Sequence, residues 1–391
     1  MDLNTPFDIQ DFEDIAPFSD EEAVKAFQYL SRHPNLPFIS KYMFPDQPET
    51  LLRDVLLSLH SIDEFQAVVM SKAVEFVIAK TMHNFSYDGV SNFTKVGGKF
   101  LAMSNHRDII LDPAITQLVL YRNHIPLTEI AVGDNLLSSK TIEYLMRVNR
   151  MIRVIRGVSS RELYLSSMRL SAYIRNSITA GKSSVWIAQR QGRTKDGIDT
   201  TEQGLLKMID MSGTKGFVEN FKELNIVPLS ISYEYESCDV LKAREKLLSR
   251  TVKYVKQENE DLVSIMTGLK MWKGDVHLNI GEALTGEEIA AASACDIKND
   301  RYQFIRHAVD RRIIEGYRLC KTNYIAYDIV EKTTKYADRY TKEDAEAFRA
   351  YTEKQLDTVE KELDREALRD IFLHIYSNPV LSKERLAAET I

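Results

Sequence analysis

One stretch gathers groups that can move a proton. Ser104-Asn105-His106-Arg107-Asp108 is followed by a second aspartate, Asp112, directly before Pro113. An imidazole titrates near ~6.5, so a histidine can take a proton from a hydroxyl close to neutral pH. A carboxylate on its other ring nitrogen would fix the tautomer and stabilise the imidazolium that forms. Asp108 and Asp112 both compete for that place. No obvious serine or cysteine nucleophile accompanies them, so the chemistry the set suits is activation of a substrate hydroxyl. A structural histidine with an aspartate capping the next helix would use the same letters.

Two further stretches place cations at the ends of apolar runs. In RMIRVIRGVSSRE, residues 150–162, strand alternation puts 152, 154 and 156 on one face and 151, 153 and 155 on the other. Arg156 then ends the strand, Gly157 turns the chain, and Ser159 or Ser160 caps a helix. In VWIAQRQGRTKDG, residues 185–197, an apolar strand runs into Arg190, Gln191, Gly192, Arg193 and Lys195. Gly192 permits a tight turn or close approach of backbone to a ligand. Guanidinium forks suit phosphate because they make paired, charge-assisted hydrogen bonds. A solvated basic loop is the plainer reading. GDNLL, residues 133–137, reads as a glycine turn with an asparagine cap. NIVPLSISYEYESCD, residues 225–239, reads as an apolar strand with a proline near its start, leaving Pro228, Tyr233 and Glu234 as site candidates.

The elements that must position these groups follow from periodicity. Strands are expected at 99–104, 128–132, 151–156, 183–188, 227–233 and 276–280, with helices at 113–121, 139–148, 160–179 and 215–224 between them. Such alternation predicts an α/β fold with a mostly parallel central sheet flanked by helices. Ligands of such sheets bind beyond the carboxyl ends of the strands, where the polar stretches fall. Residues 1–84 and 299–391 read as helical segments around an α/β domain at 85–298. Ser19 with Glu22 and Ser61 with Glu64 form possible capping boxes. Residues 37–48, with Phe38, Tyr42, Met43 and Phe44, read as an exposed apolar loop, a membrane contact or simple packing. Asn378-Pro379 reads as a helix stop.

Taken in order, these stretches resemble the blocks of the glycerolipid acyltransferases, the glycerol-3-phosphate and lysophosphatidate acyltransferases. That family's first block is Asn-His, four residues, then Asp. SNHR and LDP match it, with five residues between His106 and Asp112. The LDP context favours Asp112 over Asp108. Gly133-Asp134-Asn135-Leu136 is similar to the family's Gly-x-Asn-Leu. The second block ends an apolar strand in arginine, a position Arg156 fits best and Arg153 second. The third block, Phe-x-Glu-Gly-x-Arg, finds Gly192 and Arg193 but no glutamate, with Arg190 or Gln191 standing in its place. VPLSISYE, residues 227–234, fits the fourth.

The resemblance spans residues 99–284. It implies His106 as general base and a phosphate site of Arg156, Arg193, Arg190, Lys195 and Arg153. Asn105, Arg107, Gly192, Gln191 and Pro228 are further site candidates. The implied donor is acyl-CoA or acyl-carrier protein, and the implied acceptor is glycerol-3-phosphate or its 1-acyl derivative, with no metal or bound cofactor. The absent glutamate motivates two other expectations: an inactive membrane-surface binding protein on the same fold, or a hydrolase using a His-activated water.

Composition bounds these readings. The 391 residues are 44% hydrophobic and 28% charged, with net charge -6, which argues against nucleic acid as a partner. No apolar run approaches the ~20 residues that span a bilayer, so a lipid substrate would be met from one side. Cys238, Cys295 and Cys320 lack metal-ligand spacing and fit a reducing compartment. The acidic opening lacks the basic and apolar regions of a signal peptide. The expectation is a cytoplasmic protein, peripheral on the cytoplasmic membrane face.

Overall fold

The computed structural model describes residues 12–137, 139–251, 254–257 and 259–389; the opening residues up to 11 lie outside them. The fold is α/β, built on a seven-stranded, mostly parallel sheet with helices on both faces and helical termini. Its strands are β1 (Met82–Asp88), β2 (Leu101–Ser104), β3 (Glu129–Gly133), β4 (Met151–Val154), β5 (Val185–Ala188), β6 (Ile226–Tyr233) and β7 (Gly274–Ile280). Their order across the sheet is β1-β7-β6-β2-β5-β3-β4. Only β6 and β7 pair antiparallel, so β1 and β7 run against the other five.

β2 and β6 are buried along their whole length, as central strands with two covered faces must be. In β2, Leu101 and Met103 enter one core while Ala102 enters the other, the two-residue period dividing the strand between the faces. Helix Leu111–Arg122 covers one face, packing Ile115, Leu118 and Val119 over Ala102, Leu229 and Ile231. Helices Ser160–Thr179 and Lys298–Gly316 contribute to the core on the other. Pro228 sits in the core, one residue before the first β6–β7 pair, Leu229–Ile280, where a missing N–H disturbs the ladder least.

Two expectations are corrected. The N-terminal helical run stops at Thr81, not near residue 84, and residues 82–88 form β1. β1 is a half-exposed edge strand with little apolar alternation, so its sequence carries a weak signal. Asn378-Pro379 does not stop a helix: Arg365–Glu389 runs straight through it. Proline removes the bond to the carbonyl four residues back, that of Ile375. Gly197, at φ +77°, packs its Cα against that carbonyl, where a Cβ would stand 2.1 Å from the oxygen. Asn378 Nδ2 also donates to the carbonyl of Asp196 at 2.7 Å. The loop after β5 is therefore docked on the last helix at its proline.

Candidate active site

His106 stands on the loop between β2 and helix Leu111–Arg122, with its side chain 15% exposed. Its Nδ1 lies 3.1 Å from Asp112 Oδ2. Asp112 is fully buried and held from three further directions. Oδ2 accepts from the backbone N–H groups of Arg107 at 2.6 Å and Asp108 at 2.8 Å, and Oδ1 accepts from the Tyr233 hydroxyl at 2.9 Å. With Nδ1–H donating to the carboxylate, Nε2 is the nitrogen left to accept a proton. Burial pushes the Asp112 carboxyl above its usual range, against the pull of His106.

Asp108 does different work. Its Oδ1 accepts from the N–H groups of Ile110 and Leu111, both at 2.8 Å, capping the helix start, and Oδ2 takes the Ser237 hydroxyl. Between the two aspartates, then, the geometry puts Asp112 on the imidazole.

The cations divide into two sets. Arg193 is buried beside the catalytic loop, with the N–H of Thr194 donating to the His106 carbonyl at 2.9 Å. Its Nη2 reaches Ser264 Oγ at 3.1 Å, while Nη1 is buried with no partner among the described residues. Arg190 Nε is likewise buried and unpartnered. Arg156 follows β4, three strands from β2 and so about 14 Å along the sheet edge. It leans back over the end of β3, where a Cβ on Gly133 would stand 2.8 Å from its Cζ. Among the described residues no carboxylate comes within 4.0 Å of it. Burial pulls its pKa below the ordinary arginine value, with Asp134, Glu202 and Asp261 opposing from a distance.

The second set is engaged elsewhere. Lys195 is paired with Glu245, and Arg153 points to Asp134 at 3.6 Å from an exposed position. Arg107 turns away from His106 into a buried network with Asp199 at 2.6 Å and Glu236 at 3.3 Å, its guanidinium over the Tyr317 ring. Asn105 clamps β6 through the N–H and carbonyl of Ile231 and also meets Asp199. Gln191 is exposed; Gly192, at φ +74°, has open space around its Cα.

Three contributors went unnoticed in the sequence. Gln189, fully buried at the end of β5, accepts from Thr201 Oγ1 at 3.1 Å and leaves its amide nitrogen unpartnered. Ser237 holds Asp108. Helix Glu260–Lys270 crosses the loop, bringing Ser264 to Arg193 and Gly268 against Asp108, where a Cβ would lie 2.3 Å from Oδ2. A glycine inside a helix costs about 1 kcal/mol relative to alanine, and Gly268 was the one available hint.

A cavity of about 640 Å³ begins at this loop. Ile110, Pro113, Ala114, Gln117, Leu118 and Tyr121 line it along one face of helix Leu111–Arg122. That row covers about 16 Å of helix. The opposite walls come from β3, the helix Lys140–Val148 and the helix Glu260–Lys270. Most lining side chains are apolar, so the space suits a long hydrocarbon more than a polar ligand. Among the described residues no group of three or more His, Cys, Asp or Glu could hold a metal ion. None of their helices is long and apolar enough to cross a membrane.

A strand-end histidine oriented by a buried carboxylate thus shares its loop with Ile109 and Ile110, which line the apolar cavity. Residues 84–233, which carry all these groups from His106 to Tyr233, match the family model described as Acyltransferase. The match covers this stretch of the chain and marks it as similar to acyltransferase domains. No curated protein matches the chain.

Proposed function

We propose that the protein is an O-acyltransferase of phospholipid synthesis. It moves a fatty acyl group from an acyl thioester, acyl-CoA or acyl-carrier protein, to the hydroxyl of glycerol-3-phosphate or 1-acyl-glycerol-3-phosphate. The observation that carries this reading is the His106–Asp112 pair on a loop whose Ile109 and Ile110 line an apolar cavity, with the His106 carbonyl bonded by the residue that follows the half-paired Arg193. His106 Nε2 takes the acceptor's hydroxyl proton as the oxygen attacks the thioester carbonyl. The C–O bond forms, the C–S bond breaks, and the leaving thiolate takes the proton back from the imidazolium. Arg193 and Arg156, with Arg190 nearby, hold the acceptor's phosphate. The cavity takes the acyl chain.

General-base help contributes ~10²–10⁴-fold. Holding two substrates in register contributes about 7–11 kcal/mol, so the phosphate clamp matters at least as much as the base. We place this work at a lipid surface, on the cytoplasmic face of the membrane; the cavity's exposed apolar rim supports the lipid contact. Tyr121, Leu145 and Leu262 line the cavity and are themselves exposed. Phe38, 74% exposed, and Tyr42 extend that apolar surface along helix Leu36–Met43, which touches Phe76.

The test is turnover of a labelled long-chain acyl thioester by the purified chain across a panel of acceptors. Acylated glycerol phosphate or phosphatidate is expected, and none from His106→Ala with its fold intact. Turnover retained in that variant would remove the dyad from the mechanism. Free fatty acid without an acceptor would mean a hydrolase, and no product at all a binding protein.

A further inference from the structure

The dyad has a third member that the proposed chemistry does not use. Tyr233 is the last residue of β6 and is fully buried on the face that packs helix Leu111–Arg122. Its hydroxyl reaches across to Asp112 Oδ1 at 2.9 Å. The two oxygens of Asp112 are served unequally. Oδ2 has two backbone N–H groups and His106, whereas Oδ1 has Tyr233 alone among the described residues.

We propose that Tyr233 is a positioning residue for acyl transfer: its hydroxyl holds Asp112 in its ionised form and in the plane from which it orients His106. The inference rests on the general-base reading of His106.

The surroundings explain why a hydroxyl is needed there. The titratable and charged groups around Asp112 are His106 and Asp108 on its own loop, Tyr233 itself, and Glu236 beyond the end of β6. Lys273 and Cys238 stand toward the far side of Asp108. Before His106 takes its proton, no cation touches the carboxylate. Its charge is therefore held by dipoles, two from the loop and one from the phenol. Should Asp112 take a proton, it would become a donor toward Nδ1 and force the imidazole into the tautomer whose Nε2 carries hydrogen. That tautomer accepts nothing from the substrate. The phenol is a dependable donor because burial and the neighbouring carboxylate keep it protonated.

The experiment is Tyr233→Phe in the full chain, which keeps the ring and removes the donor. A hydrogen bond to a charged group carries enough weight that kcat should fall about tenfold or more, with both KM values unchanged. The acid limb of the rate profile should move up by about one pH unit, since a less stabilised carboxylate makes the dyad hold its proton more tightly. In an Asp112→Asn background the same change should cost nothing further. A fluorinated tyrosine at position 233, isosteric and a stronger donor, should move the limb down, and it decides the matter if the phenylalanine variant does not fold. An unmoved limb, a loss confined to KM, or an equal loss in the Asp112→Asn background would overturn the inference. His106→Ala with full activity would sink the base reading itself. An inactive His106→Ala with an unmoved Tyr233→Phe limb would sink only the role of Tyr233.

Discussion

Two sets of charged side chains flank the His106 loop, and they are built on opposite rules. Behind the loop, Arg107 and Lys242 face Asp199 and Glu236, two cations against two carboxylates. Lys242 Nζ also donates to the Arg107 carbonyl at 2.6 Å, which ties the loop to the helix Asp239–Leu248. In front of the loop, Arg193 and Arg190 each keep a buried nitrogen without a partner among the described residues, and Arg156, farther along the sheet edge, has no carboxylate within 4.0 Å among them. A balanced cluster is complete without a ligand and serves to hold backbone. A cation-rich one is a cost to the fold unless an anion arrives, and such uncompensated sites are where ligands bind. Adjacent residues of one motif, His106 and Arg107, thus belong to different machines.

The largest expected effect falls on the balanced side. Arg107→Met leaves Asp199 buried without a cation and Glu236 with Lys242 alone, a loss of about 3–5 kcal/mol of stability. Denaturant unfolding would measure it. A variant as stable as the parent would show that the network is dispensable and the comparison false.

On the other side the sign reverses. Arg193→Met removes a half-paired buried charge, so stability should hold or rise. KM for a phosphorylated acceptor should increase about 10–100-fold, the equivalent of one charged hydrogen bond. Lys195→Met, two residues on, should leave that KM within about twofold, because the buried Glu245 already holds the ammonium. Steady-state kinetics on the two variants separate a ligand cation from a structural one. Equal effects from both would erase the distinction.

Which arginine belongs to which set was not legible in the sequence, and the reason is distance. His106 and Asp112 lie six positions apart around one strand end, so local spacing carried them, and the α/β pattern was carried by β2, β5 and β6 as short runs rich in apolar residues. The choice between Asp112 and Asp108 turned on the path of the loop, which lets two N–H groups converge on Asp112 and turns Asp108 to the helix start. Lys195 is taken by Glu245, fifty residues away, and Arg107 by Glu236, more than a hundred away. No local rule reaches that far. The cavity is composite, with walls from residues as far apart in the chain as Met70, Leu145 and Ile265, so no segment announces it. Pro379 removed its own N–H yet did not end a helix, and the residue packed against the freed carbonyl, Gly197, comes from elsewhere in the chain.

The smallest effect sets Asp112 beside a second fully buried aspartate. Asp239 accepts from the hydroxyls of Tyr351 at 2.8 Å and Tyr376 at 2.6 Å, much as Asp112 accepts from Tyr233, but no histidine faces it. Burial pushes Asp239 up to about 6, and Asp310, held by Thr201, to about 6 as well. Both carboxyls therefore bind a proton more tightly folded than unfolded, where the ordinary value is ~3.9. Their stabilising share is complete below that value and is lost as pH rises toward about 6, by at most ~1.4 kcal/mol per pH unit for each. The arginine-paired Glu353 and Glu360, held down at about 2, act in the opposite sense and in a lower window, with stability lost as pH falls toward about 2. Thermal unfolding followed from pH 4 to 7 should show melting temperature declining across the upper window and then levelling. Asp239→Asn, which keeps an acceptor for the tyrosines but cannot ionise, should flatten part of that decline while leaving the acid limb of catalysis where it was. If the decline persists unchanged in Asp239→Asn, then Asp239 does not titrate there, and its likeness to Asp112 ends at burial.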